Sequence, residues 1–131
     1  MKKLISLTFF VIFIFFVIVA AIVPFFLREL ETLEVKEFDV NEYLFFIESF
    51  PSNETIGNTS NLGDVIAQVE EIWVELYGES VKNEKPYEVF YDADKGVWLI
   101  RGSLPAHRLG GVANLLLDKR TGEVLAVWHE E

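Results

Sequence analysis

The sequence of 131 residues contains no cysteine and only two histidines. Disulfide bonds, a thiolate nucleophile and zinc sites built on thiolates are therefore excluded. Positive charge is also scarce, since 11 Lys and Arg stand against 21 Asp and Glu, for a formal net charge of −10. This balance disfavours binding to nucleic acid and favours either simple solvation or a basic protein partner.

Charge is entirely absent from Leu4 to Leu27. This run exceeds the roughly 20 apolar residues that a bilayer-spanning helix needs. Lys2 and Lys3 precede it, so the positive-inside rule predicts a cytoplasmic N-terminus and an extracytoplasmic remainder. The sequence therefore predicts a single-pass anchor in the cell membrane over residues 1–27, which contacts the membrane through residues 4–27. A cleavable signal peptide is the alternative interpretation.

An acidic juxtamembrane region is predicted over residues 28–61. Beyond the apolar run lie all 21 acidic but only nine of the 11 basic residues, so the charge there is −12. A short helix is expected at about 39–50, because Asp39 is a good N-cap residue and apolar side chains follow at helical spacing. Pro51 ends it. This helix either packs on the domain or lies at the membrane interface.

Residues 62–131 are predicted to form a small α+β domain. Its most regular feature is an apolar stripe at helical spacing, which ends at Gly78, a residue suited to a helix C-cap. The stripe comprises Val65, Ile66, Val69, Ile72, Trp73, Leu76 and Tyr77. Glu70, Glu71 and Glu75 fall on the other face, where they form either a solvated surface or a contact surface for a partner.

Four strands are predicted after this helix. Pro86 precedes the first strand, Trp98 lies in the second, and Gly122 belongs to the turn before the fourth. Short connections favour antiparallel neighbours, so the expected fold is one long amphipathic helix on one face of a four-stranded antiparallel meander.

The segment SLPAHRLGGV, residues 103–112, is interpreted as the link between the second and third strands. Pro105 stiffens this link, while Gly110 and Gly111 allow backbone angles or close approaches that other residues resist. His107 and Arg108 then project from an otherwise acidic domain. We therefore expect them to be a second candidate contact for a partner.

No catalytic constellation emerges from the sequence. His107 and His129 lack metal-ligand spacing, and Ser103 lacks the context of an activated nucleophile. No glycine-rich phosphate loop opens a helix. The sequence therefore predicts a protein that is not an enzyme, with no catalytic residues, no bound metal and no cofactor.

The segments IWVELYGESVKNEKPYEVF and GVWLIRGSLPAHRLGGVANLLLDKRTGEVLAVWHEE resemble a bacterial immunity-protein family with the nuclear-transport-factor-2-like, or cystatin-like, fold. The resemblance covers about residues 62–131. It rests mainly on Gly102-x-Leu104-Pro105, on Gly110-Gly111-Val112, and on the turn Thr121-Gly122-Glu123. It implies a domain that neutralises a toxin by direct binding. One departure is the ending His129-Glu130-Glu131, where such proteins often end in Gly-Lys.

Two alternatives remain open. The segment LLLDKRTGEVLAV is similar to PepSY domains, which implies an inhibitory or sensing role outside the membrane. A non-catalytic structural subunit of the cell envelope is the third interpretation. In each case the expected partner is a protein, either a toxin or another envelope protein, and the oligomeric state stays open.

Overall fold

The computed structural model describes residues 2–31, 34–105 and 108–131. The chain divides into two compact units, Met1–Leu33 and Glu34–Glu131. Helix α1, Lys2–Glu31, belongs to the first unit. Among the described residues, no helix combines the length and the apolar character that crossing a membrane requires. This finding overturns the prediction of a transmembrane anchor and, with it, the prediction of a single-pass protein in the cell membrane.

The second unit is built on one mixed sheet of five strands, in the order β1-β2-β3-β4-β5. The strands are β1 Val35–Glu37, β2 Glu88–Asp92, β3 Val97–Arg101, β4 Ala113–Asp118 and β5 Val124–His129. Strands β2 to β5 form an antiparallel meander, whereas β1 pairs with β2 in parallel. The unit is α+β, but the predicted four-stranded antiparallel sheet is wrong.

Strand β1 escapes sequence reasoning because it is only three residues long and lies within the acidic region. Its partner β2 begins about fifty residues later, and a parallel pairing leaves no hairpin turn to mark it. Two α-helices, described below, lie between these two strands in the chain.

Helix α3, Leu62–Tyr77, starts and ends at residues suited to helix ends. The Asn61 side chain accepts hydrogen bonds from the backbone N–H groups of Gly63 and Asp64, which otherwise have no partner within the helix. Gly78, with φ of +89°, closes the helix in a conformation that costs glycine little.

One hydrophobic core lies between α3 and the sheet. Val65, Val69 and Trp73 of the helix are fully buried, and the alternate residues Trp98 and Ile100 of β3 meet them. The remaining buried members are Ile56, Val81, Tyr87, Val89, Ala113, Leu115, Leu117 and Val124.

A second core covers the opposite face of the sheet. The predicted short helix over 39–50 appears here as a 3-10 turn, Val40–Tyr43, continued by helix α2, Leu44–Ser49. The buried residues of this second core are Val40, Val97, Leu99, Leu116, Ala126 and Trp128. Asp92 at the end of β2 links the sheet to the 3-10 turn that precedes α2, because its Oδ2 accepts a hydrogen bond of 2.9 Å from the Val40 N–H.

The outer edge of β5 is lined by the chain segment 50–56. The N–H groups of Val127 and Val124 donate to the carbonyls of Phe50 and Glu54, at 3.1 and 3.0 Å. The Ile56 N–H donates in turn to the Gly122 carbonyl at 2.7 Å. A Cβ at Gly122 would overlap the Ile56 carbonyl oxygen, so this close approach, together with a φ of +75°, calls for glycine.

Candidate partner-binding surface

The outer face of α3 carries the predicted acidic surface. Glu70, Glu71 and Glu75 border an open depression of about 460 Å³. The other lining residues are Ala67, Val74, Glu79 and Lys82. Helical spacing places Glu71 and Glu75 side by side, because residues four apart in a helix are neighbours on its surface, and Glu70 borders the same depression.

Glu70 is engaged within the domain. Its Oε2 accepts a hydrogen bond of 2.7 Å from the Tyr87 hydroxyl and lies 2.9 Å from the Lys85 Nζ. Burial acts to raise the pKa of Glu70, but the bonds from Tyr87 and Lys85 outweigh it and hold that pKa below its ordinary value. Burial first, and the bond to Glu70 second, raise the pKa of the Tyr87 hydroxyl. Glu70 therefore ties α3 to the start of β2.

Glu79 is also matched by a local cation. Lys82 Nζ lies 2.8 Å from its carboxylate, and this hydrogen bond raises the pKa of Lys82. Both side chains remain largely in solvent, where such pairs contribute little to stability.

Glu71 and Glu75 are different, because both are exposed and neither forms an ion pair within the described ranges. They are one helical turn apart, so their like charges repel by a few tenths of a kcal/mol. No basic residue lies in the last turn of α3, where the helix dipole favours cations. The outer face of α3 thus holds negative charge that a cationic partner would neutralise.

The second candidate contact is only partly described. His107 lies outside the described residues, between the described ranges 34–105 and 108–131. The Arg108 N–H donates to the Pro105 carbonyl at 3.0 Å, and its side chain is exposed. The next residue, Leu109, is fully exposed as well.

The base of this 103–112 loop is organised by Glu84, a residue that sequence reasoning missed. The Glu84 side chain is only 11% exposed. Its Oε1 accepts a hydrogen bond of 2.7 Å from the Ala113 N–H, and its carbonyl accepts one of 2.7 Å from the Ser103 N–H. Both ends of the loop are therefore fixed to one residue. No pattern of neighbouring residues indicates this role, because in the sequence Glu84 resembles the other acidic residues expected on the surface.

The glycines around the loop fit this close packing. A Cβ at Gly102 would lie 2.5 Å from the Glu84 Oε1, and a Cβ at Gly111 would overlap the Glu130 carbonyl. Gly110 needs its freedom for another reason, a φ of +135°. Close approach, rather than chemistry, thus accounts for the glycines at 102 and 111.

The other residues predicted to be structural occupy varied positions. The Pro86 carbonyl accepts a 2.7 Å hydrogen bond from the Ser103 hydroxyl, and Trp98 is buried under α3. Among the described residues, no group of three or more His, Asp or Glu is placed to hold a metal ion.

Comparison with known protein families identifies a match for this chain. No curated protein and no solved structure matches the chain. Residues 65–131, just over half of the chain and running from α3 to the last residue, match a family described as NTF2 fold immunity protein. The resemblance seen in the sequence is thereby confirmed. The chain belongs to the Imm-NTF2-2 family of NTF2 fold immunity proteins.

Proposed function

We propose that this protein neutralises a toxin by binding it directly, without catalysing a reaction. The observation that carries the proposal is the family match over residues 65–131, which spans α3 and the four antiparallel strands. The match favours this role over the PepSY-like and structural-subunit interpretations.

The outer face of α3 is the proposed contact surface for a basic toxin. Glu71 and Glu75 offer exposed carboxylates there that no Lys or Arg of the described chain neutralises. Charge complementarity of this kind accelerates association and selects among partners. The Glu70 carboxylate, which contacts Tyr87 and Lys85, links α3 to the residues just before β2.

His107 and Arg108 are proposed as the second contact. Arg108 lies in the connection between β3 and β4. Arg108 brings positive charge to a strongly acidic chain, so we expect it to meet an acidic or polar group of the toxin.

The test begins with affinity capture on the full chain. A captured protein supports the proposal only if it arrests growth when produced alone and co-production of this chain restores growth. If the chain restores growth against none of the captured proteins, the toxin-neutralising role is contradicted.

The contact surface is tested separately, by calorimetry on the purified pair. The double variant Glu71→Gln/Glu75→Gln should weaken binding roughly 2- to 30-fold, because each exposed charge pair contributes about 0.2–1 kcal/mol. Glu48→Gln/Glu123→Gln is the matched control, since it changes net charge equally at exposed positions elsewhere. Equal losses in both double variants would assign the effect to net charge and remove α3 as the contact.

A further inference from the structure

Leu109, in the loop between β3 and β4, differs from the other exposed apolar residues that the structure describes in the second unit. It is 104% exposed, so the rest of the chain shields none of its surface from water. The others are at most 66% exposed and therefore bury about a third or more of their surface. These others are Val35, Leu44, Phe45, Phe50 and Leu76. Leu109 is thus the apolar residue with the most surface to gain from a partner.

The loop that carries this leucine is held at both ends by hydrogen bonds. At its start, the Ser103 N–H and hydroxyl donate to the carbonyls of Glu84 and Pro86, each at 2.7 Å. At its end, the Val112 carbonyl accepts a hydrogen bond of 3.0 Å from the Glu130 N–H. Residues outside the loop therefore fix the path of the chain into it and out of it.

The backbone on either side of Leu109 is constrained as well. Just before it, the Arg108 N–H donates to the Pro105 carbonyl at 3.0 Å. Just after it, Gly110 has a φ of +135°, which side chains rarely allow, and Gly111 has no room for a Cβ beside a neighbouring backbone carbonyl. The position of Leu109 is therefore set by the chain itself, before any partner binds.

We propose that Leu109 is the apolar anchor of the partner contact, and that it inserts into an apolar recess of the toxin whose border carries a carboxylate for Arg108. This inference rests on the proposed toxin-neutralising function and names the residue that contributes most to binding. Insertion removes the whole leucine side chain from water. Because the loop is held in place beforehand, little conformational entropy is lost when the complex forms.

The expected contribution of this anchor exceeds that of any single charge on the contact surface. Burial of a fully exposed leucine side chain corresponds to roughly a 10- to 150-fold gain in affinity. One exposed charge pair corresponds to about a 1.5- to 5-fold gain. A second copy of this chain is a poorer occupant than a basic toxin with a local carboxylate, because two chains of net charge −10 repel each other.

Calorimetry on the full chain and the captured protein tests the anchor, whether or not that protein arrests growth. Leu109→Gln should weaken binding roughly 10- to 150-fold, and Leu109→Met, which keeps an apolar side chain of similar volume, should restore most of the loss. Leu44→Gln is the matched control, since it removes another leucine, 52% exposed, from α2 and should leave binding unchanged. A loss for Leu109→Gln no larger than that for Leu44→Gln would overturn the proposal.

The salt dependence separates the anchor from the charge beside it. The loss caused by Leu109→Gln should be the same at low and high salt, because salt does not screen apolar burial. The loss caused by Arg108→Gln should shrink at high salt, where its ion pair is already weakened. If sedimentation shows that Leu109→Gln instead converts a dimer of this chain into a monomer, Leu109 contacts a second copy and the proposal is wrong.

A further measurement needs no partner. In ¹⁵N relaxation of the free, full chain, the backbone order parameter of Leu109 should lie near about 0.85, the value of rigid backbone, whereas a value below about 0.6 would rule out an anchor held in place before binding. Neither this measurement nor the calorimetry depends on whether the partner is toxic. Failure of the anchor and failure of the toxin-neutralising role are therefore told apart.

Discussion

The face of the sheet beneath α3 is packed mainly with aliphatic side chains, whereas aromatic rings form a larger share of the packing on the opposite face. Of the described residues, thirteen are buried on the α3 side and form one continuous core. Six of the described residues are buried on the α2 side, and the rings of Phe38, Tyr43, Phe46 and Phe90 pack around them without being fully enclosed. Phe46 stacks on Trp128 with ring centroids 4.3 Å apart.

This difference reflects the length of the covering segment. Helix α3 has 16 residues and can enclose its side of the sheet, but α2 has six. Large flat rings let a short segment cover much area with few residues. The cost is exposure, since Phe45 and Phe50 remain 66% and 43% exposed. The α2 face also has a polar contact with the sheet, the hydrogen bond between Asp92 and Val40.

Removing one large ring from each face tests this contrast most strongly. Trp73→Ala should lower the free energy of unfolding by about 3–5 kcal/mol, because Trp73 is completely buried and its loss leaves a cavity. Phe46→Ala should cost only about 1–3 kcal/mol, since its ring is partly in solvent already. Urea unfolding of both variants gives the comparison. Equal losses would mean that the two cores contribute alike.

The polar contact of the α2 face comes next. Asp92 accepts hydrogen bonds from the N–H groups of Val40, Asp94 and Lys95. The bond from Val40, followed by those of Lys95 and Asp94, holds the pKa of Asp92 below its ordinary value although burial acts against this. Asp92→Asn should destabilise the chain less than Phe46→Ala does.

The pH dependence of this variant identifies the cause. Because the folded-state pKa is lowered, the contribution of Asp92 is present above about pH 4 and is lost as pH falls through the folded-state value. Unfolding curves measured from pH 7 down to pH 2 should therefore fall less steeply for Asp92→Asn. Asp94→Asn, in the same turn but exposed, should keep the steeper fall.

The polar contact of the α3 face should matter least. Tyr87→Phe removes the hydroxyl that donates to Glu70, at a cost of about 0.5–1.5 kcal/mol. Burial and this bond raise the pKa of Tyr87, so its contribution is complete below the ordinary tyrosine value near 10 and is lost only at higher pH.

Ultraviolet titration of the phenols checks this. The tyrosine that ionises last in the unaltered chain should be missing from Tyr87→Phe. Tyr91→Phe, on the same strand, is the control and should leave that late transition in place. A late transition that survives Tyr87→Phe would assign it to another phenol.

The sequence predicts the α3 side well because its signals are local. The apolar stripe ends at Gly78, Asn61 precedes it, and the turns before Val97 and Val124 are short, so α3 and strands β2 to β5 follow from neighbouring residues. Strand β1, which the sequence did not predict, depends on a pairing with β2 across about fifty residues, and no pattern of neighbouring residues indicates that pairing.

The candidate surface was predictable only in part, for a similar reason. The helical pattern places Glu70, Glu71 and Glu75 outside the apolar stripe, yet it does not tell which of them is paired. The pairing of Glu70 depends on Tyr87 and Lys85, which contact it from the residues just before β2. Glu84 was missed because its partners, Ser103 and Ala113, lie far along the chain.

The segment 50–56 along β5 has a consequence for how copies of this chain could join. Its hydrogen bonds to Val124 and Val127 occupy one border of the sheet, so among the described strands only β1 ends the sheet unaccompanied. Because these hydrogen bonds already occupy the β5 border, a strand from another molecule could pair with β5 only after residues 50–56 detach.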